Sequence, residues 1–201
     1  MDVSTAKLTG GNWPGDLIAA AVFEGDLAPA EKLGEAADAK LKTLADKRAW
    51  KGRSGDVLLL PQPGEPTIGL VGLGEKKDLG PEAVRQAAGE LVRAAIRDRA
   101  AKVTFILPET PGFALSKAAA EGAVLSGYAF DKYRGHPEDE PPRFRVEAFL
   151  LEGADEEGLK TGAIVAGAQN EARDLASEPG NVINPQSLAD CARKVADESG
   201  L

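Results

Sequence analysis

The chain has 201 residues, 32 acidic against 24 basic for a formal net charge of −8, and is 43% hydrophobic and 28% charged. That size holds one ordinary domain plus part of another, and no run approaches the roughly 18 apolar residues of a membrane helix, which excludes membrane residence. The acidic balance argues against bulk attraction to nucleic acid or an anionic surface, which rests on Lys and Arg displacing counterions.

The opening MDVSTAKLTGGNWPGD lacks the basic region and apolar stretch of a secretory signal, and the single cysteine, Cys191, fits a reducing compartment. A cytoplasmic location is expected. Strands are expected at 3–8 and at 16–23 (DLIAAAVF), and Pro29 opens a helix read through Trp50, with Leu33, Ala36, Ala37, Leu41 and Leu44 at helical spacing. Two more strands follow at 56–60 (DVLLL) and 67–73 (TIGLVGL). Pro81 starts a second helix with Ala83, Val84, Ala87, Ala88, Leu91 and Ala95 as its buried stripe, and Arg93, Arg97, Arg99 and Lys102 near its end complement the dipole. A strand at 102–107 (KVTFIL) and a helix at 114–130 come next. The stretch RGHPEDEPPR defeats regular structure, and a strand at 144–151 (FRVEAFLL) follows it.

Character changes near Gly153. An Ala- and Gly-rich helix is expected over 156–177, ended by Glu178-Pro179-Gly180, and Asn184 then caps a last helix with Pro185 at its first position and Leu188, Cys191, Ala192 and Val195 on one face. Alternating strands and helices predict an α/β fold, a mixed sheet flanked by helices, with a long helix and a short helical tail after it. The division is 1–155, 156–177 and 178–201.

Few residues invite chemistry. The turn Val71-Gly72-Leu73-Gly74-Glu75-Lys76-Lys77 follows a strand, yet Lys77 stands where a dinucleotide fingerprint needs glycine and the Walker spacing is absent, so a structural turn is expected. His136, the only histidine, has no partners for a zinc set, and no G-x-S-x-G elbow is present. Cys191 lies on an apolar stripe and reads as packing. Glu171 and Asp174 fall three apart on one helical face, a spacing that can hold a hard cation but is commonplace on solvated helices. No catalytic, cofactor or metal residue is assigned.

Three stretches resemble the leucyl aminopeptidase family of two-metal peptidases, the M17 type. They are Val71-Gly-Leu-Gly-Glu-Lys-Lys-Asp-Leu-Gly-Pro-Glu-Ala83, Glu121-Gly-Ala-Val-Leu-Ser-Gly-Tyr-Ala-Phe-Asp-Lys-Tyr133, and Glu171-Ala-Arg-Asp-Leu-Ala-Ser-Glu-Pro-Gly-Asn-Val-Ile-Asn-Pro-Gln-Ser-Leu-Ala189. The second is similar to the family's Tyr-x-Phe-Asp-x-Tyr pattern. In the third, Ser177, Gly180 and Asn184 stand where the family often has Asn, Pro and Thr.

The resemblance implies a non-catalytic amino-terminal domain similar to a macro domain, then a linker helix and the opening of a catalytic domain. It further implies a hexameric assembly and, in the catalytic domain, two divalent ions, manganese or zinc, that activate a water at the scissile bond. The family's metal-site motif Asn-Thr-Asp-Ala-Glu-Gly-Arg is absent from these 201 residues, so the chain is expected to be inactive alone and to carry no cofactor. The partners implied are its own catalytic domain and further copies of itself. Two other readings stand beside this one, half of a split peptidase and a stand-alone macro-like module for ADP-ribose or DNA.

Overall fold

A strand covered on both faces has no polar side, and every residue of LIAAAV is buried, which places that segment at the middle of a layered fold. The computed structural model describes residues 1–7, 13–135 and 143–200. In it LIAAAV is β2 (Leu17–Val22), and the other strands are β1 (Asp2–Ala6), β3 (Val57–Gln62), β4 (Glu65–Gly72), β5 (Lys102–Ile106) and β6 (Ala148–Glu152). Their order across the sheet is β1-β6-β5-β2-β4-β3. Neighbours run parallel except β3, which pairs antiparallel with β4 at one edge. The expected mixed α/β sheet is what the chain forms.

Alternation along β2 divides its side chains between two cores. Leu17, Ala19 and Ala21 meet α2 (Pro81–Asp98) and α3 (Phe113–Ser126) through Val84, Ala88, Leu91 and Ala119, with Phe105 and Phe149 beneath them. Ile18, Ala20 and Val22 meet α1 (Glu35–Lys47) through Leu41 and Ala45. Alanines at the sheet's centre keep its surface low, so helices on both sides can approach.

Outside α3 lies α4 (Glu156–Ser177), the segment read as a long helix, and after a short turn comes α5 (Pro185–Ser199). Asp155 caps α4 by accepting from the Gly158 amide at 2.7 Å. Close approach of α4 to α3 depends on Gly162, where a Cβ would collide with the Lys117 carbonyl oxygen and lie 2.9 Å from Ala120 Cβ. Among the described residues no helix is long and apolar enough to cross a membrane.

Three expected elements differ. The helix read from Pro29 through Trp50 is two pieces, a 3-10 turn over Ala28–Leu33 and then α1, because Gly34 between them takes φ 96°. The strand read from Phe144 pairs only from Ala148, although the Glu147 amide already bonds the Ala101 carbonyl at 2.8 Å. The helix read through Phe130 ends at Ser126, and Tyr128, Phe130, Asp131, Lys132 and Tyr133 beyond Gly127 find partners elsewhere.

Candidate functional site

Parallel sheets usually hold ligands beyond the carboxyl ends of their strands. Here the chain's own residues occupy much of that edge. The Lys32 ammonium donates to the Leu107 carbonyl at 2.9 Å and pairs with Glu152 at 3.4 Å, while the Trp13 indole donates to the Lys32 carbonyl at 3.1 Å. A shallow hollow of about 430 Å³ between Ala6, Lys7, Trp13, Lys32, Glu152 and Gly153 is what this leaves.

The glycine-rich turn is consumed by the fold as well. The Gly72 amide bonds the Asp56 carbonyl at 2.8 Å, Leu73 bonds Val22 at 2.9 Å and Gly74 bonds Gly52 at 3.3 Å. Three consecutive amides that could have cradled a phosphate are therefore spent, and Lys77 pairs with Glu75 at 2.7 Å.

A denser arrangement forms where the segment after α3 meets the carboxyl end of α4. The carbonyl end of a helix repels negative charge, yet Asp174 lies in the last turn of α4, Glu178 caps it, and that turn has no basic residue. Compensation comes from the segment after α3. The Tyr128 hydroxyl donates to Asp174 Oδ1 at 2.8 Å, Lys132 Nζ meets Glu178 Oε1 at 2.5 Å, and the Tyr133 hydroxyl donates to Glu178 Oε2. The Arg173 guanidinium stacks 3.9 Å above the Tyr128 ring, and Phe130 lies against Tyr133 with centroids 5.9 Å apart. Asp131, between them, is held by Arg145 at 2.8 Å and Arg143 at 3.5 Å.

Both Glu178 oxygens are thus engaged, and its side chain is only 9% exposed. Hydrogen bonds from Lys132 first, then Tyr133, hold the Glu178 carboxyl below the usual carboxylate range. The same bonds raise Lys132, and for Tyr133 the bond to Glu178 acts with burial to lift the phenol. Tyr128 is raised chiefly by burial, with Asp174 adding to it.

The sequence candidates fall as follows. Asp174 is engaged by Tyr128 while Glu171 is exposed, so the pair converges on nothing. Cys191 is half-buried beside Leu175 and Val195, but the stripe it belongs to is open, with Leu188 50% and Val195 49% exposed. Arg93 is committed to Glu90 at 2.7 Å and to the Ser126 hydroxyl at 3.2 Å. Arg97 is an exposed cation in the last turn of α2, Arg99 caps that helix in a left-handed conformation 5.5 Å from the Phe144 ring, and Lys102 opens β5. His136 lies outside the described residues. Among the described residues no three His, Cys, Asp or Glu side chains are grouped to hold a metal ion. Periodicity gave no hint that Lys132 and Tyr133 meet Glu178; the only signal was that all three fall inside the family-like stretches.

Residues 20–137 match the family model described as cytosol aminopeptidase family, N-terminal domain. The chain belongs to this family. It is 38% identical over its whole length to a protein named "Probable cytosol aminopeptidase" from Aquifex aeolicus (strain VF5), and spans 41% of that relative. A protein of the same name from Geobacter sp. (strain M21) is 35% identical over 80% of the chain, which covers 34% of its length. The chain therefore spans about two fifths or less of these relatives. Among solved structures, the bottromycin maturation enzyme BotP in complex with Mn superposes with a TM-score of 0.72 at 26% identity, over 93% of this chain and 37% of BotP. A mutant of tomato leucine aminopeptidase shares the fold with a TM-score of 0.79 at 23% identity, over 98% of this chain and 42% of that one.

Proposed function

We propose that this chain is the non-catalytic amino-terminal portion of a cytoplasmic metallo-aminopeptidase, with residues 1–155 as its sheet domain, 156–177 as a linker helix and 178–201 as the start of the catalytic domain. One observation carries the reading: the match to the family's N-terminal domain model, in a chain that spans 41% of a full-length relative. In this reading the parent enzyme removes amino-terminal residues from peptides with two divalent ions, manganese or zinc, held by the catalytic half. The donor set here does not suit such ions, since no trio of candidate ligands converges among the described residues, and no chemical step is assigned to this part. Its role is assembly, into a hexamer, and control of access to the catalytic centres. The self-filled edge around Lys32 favours this architectural role over a macro-like binding module for ADP-ribose.

The test is turnover. The purified chain, supplied with manganese or zinc, is expected to release no p-nitroaniline from leucine p-nitroanilide. Sustained metal-dependent release by the chain alone overturns the proposal.

A further inference from the structure

A carboxylate at the carbonyl end of a helix is in the wrong place unless something nearby repays it. Glu178 occupies that position and is nearly buried as well, a second cost for an ionised group. Both are offset by Lys132 and Tyr133, residues 46 and 45 positions earlier in the chain.

What Glu178 is joined to matters next. Pro179 follows it directly, and the Pro179 carbonyl accepts from the Val182 amide at 2.9 Å and the Ile183 amide at 3.1 Å, which closes a compact turn. The Ser187 hydroxyl then donates to the Val182 carbonyl at 2.9 Å. Ser187 also completes a reciprocal cap with Asn184, whose side chain accepts from the Gln186 and Ser187 amides at 3.0 and 3.1 Å. A continuous set of short-range bonds therefore runs from Glu178 into α5, which has little other support because its apolar side is half-open.

We propose that residues 128–133 and the end of α4 form a latch, with Glu178 as its positioning residue, that fixes the course of the chain from the sheet domain into α5. The Tyr-x-Phe-Asp-x-Tyr segment is the fixed half. Asp131, gripped by Arg143 and Arg145, ties it to the backbone entering β6, and Tyr128 adds a second hold on α4 through Asp174 and Arg173. Releasing Glu178 frees the turn and lets α5 swing while the sheet and α2 stay intact. That α5 leads into a catalytic half rests on the function proposed above; the latch does not.

Hydrogen exchange and a spin-label distance test it on the chain as it stands. Glu178→Gln and Tyr133→Phe are compared with the parent, carrying labels at Arg97→Cys on α2 and Arg193→Cys on α5 in a Cys191→Ser background. Exchange over residues 174–188 is expected to quicken about tenfold in Glu178→Gln and less in Tyr133→Phe, the scale of a lost charge-assisted hydrogen bond, with α2 amides unchanged. The inter-label distance distribution is expected to broaden in the same order. Unchanged exchange and distance in both variants overturn the latch, and so does quickened exchange of α2 to the same degree, because that marks global destabilisation. Peptidase turnover by the chain would refute the proposed function and leave these readouts standing.

Discussion

Two glycines five residues apart in α4 offer a paired experiment on what holds that helix in place. In a helix interior Gly→Ala is worth about 1 kcal/mol in favour of the alanine, from the lost backbone entropy alone. At Gly167 nothing lies within 4 Å of the position a Cβ would take, so Gly167→Ala is expected to keep that full gain. At Gly162 the Cβ meets the Lys117 carbonyl oxygen, a backbone atom of α3 that cannot rotate away, and Ala120 Cβ at 2.9 Å. Overpacking costs typically about 1–3 kcal/mol, and a backbone obstacle puts this site at the upper end. Subtracting the propensity gain leaves Gly162→Ala destabilised by about 2 kcal/mol. In a chain of this size about 2–4 °C of melting temperature accompanies each kcal/mol, so Gly162→Ala is expected to melt about 4–8 °C low and Gly167→Ala about 2–4 °C high. Urea denaturation followed by circular dichroism measures both. A Gly162→Ala protein as stable as its parent would mean that α4 is not seated against α3 through this contact.

Two further outcomes follow from the polar termini. Asn184→Ala removes the acceptor for two amides at the start of α5 and is expected to cost about 1 kcal/mol locally, seen as faster exchange at Leu188 and Ala189 with the main melting transition nearly unmoved; unaltered exchange there would deny the cap its role. A carboxyl whose folded pKa is depressed lends stability that is present above the unfolded value, about 4.3 for Glu, and lost as pH falls through the folded value. The Glu178 side-chain carbon, followed by NMR, is therefore expected to titrate below that value, and to move up toward it in Tyr133→Phe. A parent midpoint at or above the unfolded value refutes the coupling to Lys132 and Tyr133.

Much of the fold was legible because its signals are local. Six apolar residues in β2 announce a strand covered on two sides, the Ala-rich run from 156 to 177 announces α4, and Asn184-Pro185 announces the start of α5. The misreadings share a cause. Leu33 has helical spacing with Ala36 and Ala37, but a glycine in a left-handed region divides that stretch, and side-chain periodicity carries no information about φ. The reading of residues 127–130 as helix failed for a different reason. The Tyr128 side chain is satisfied by α4, more than 40 residues later, and no window along the sequence spans that distance. The junction was therefore invisible to pattern, even though each half of it lies in a stretch with family likeness.

The distribution of bonding capacity across the molecule bears on what this domain is for. An α/β sheet that serves a small ligand keeps donors and acceptors free beyond its strand ends. Here Lys32 turns its charge inward to Leu107 and Glu152, and the amides of the glycine turn are paired within the fold. By contrast, the side of the molecule carrying α4 and α5 leaves large apolar residues exposed, Ile164 at 62% among them, while its carboxylates are held at a helix end where they are locally unfavourable. Among the described residues, the bonding at the sheet's edge is turned into the fold, and that at the end of α4 is turned toward the last two helices. That asymmetry makes the course of α5 the quantity to measure.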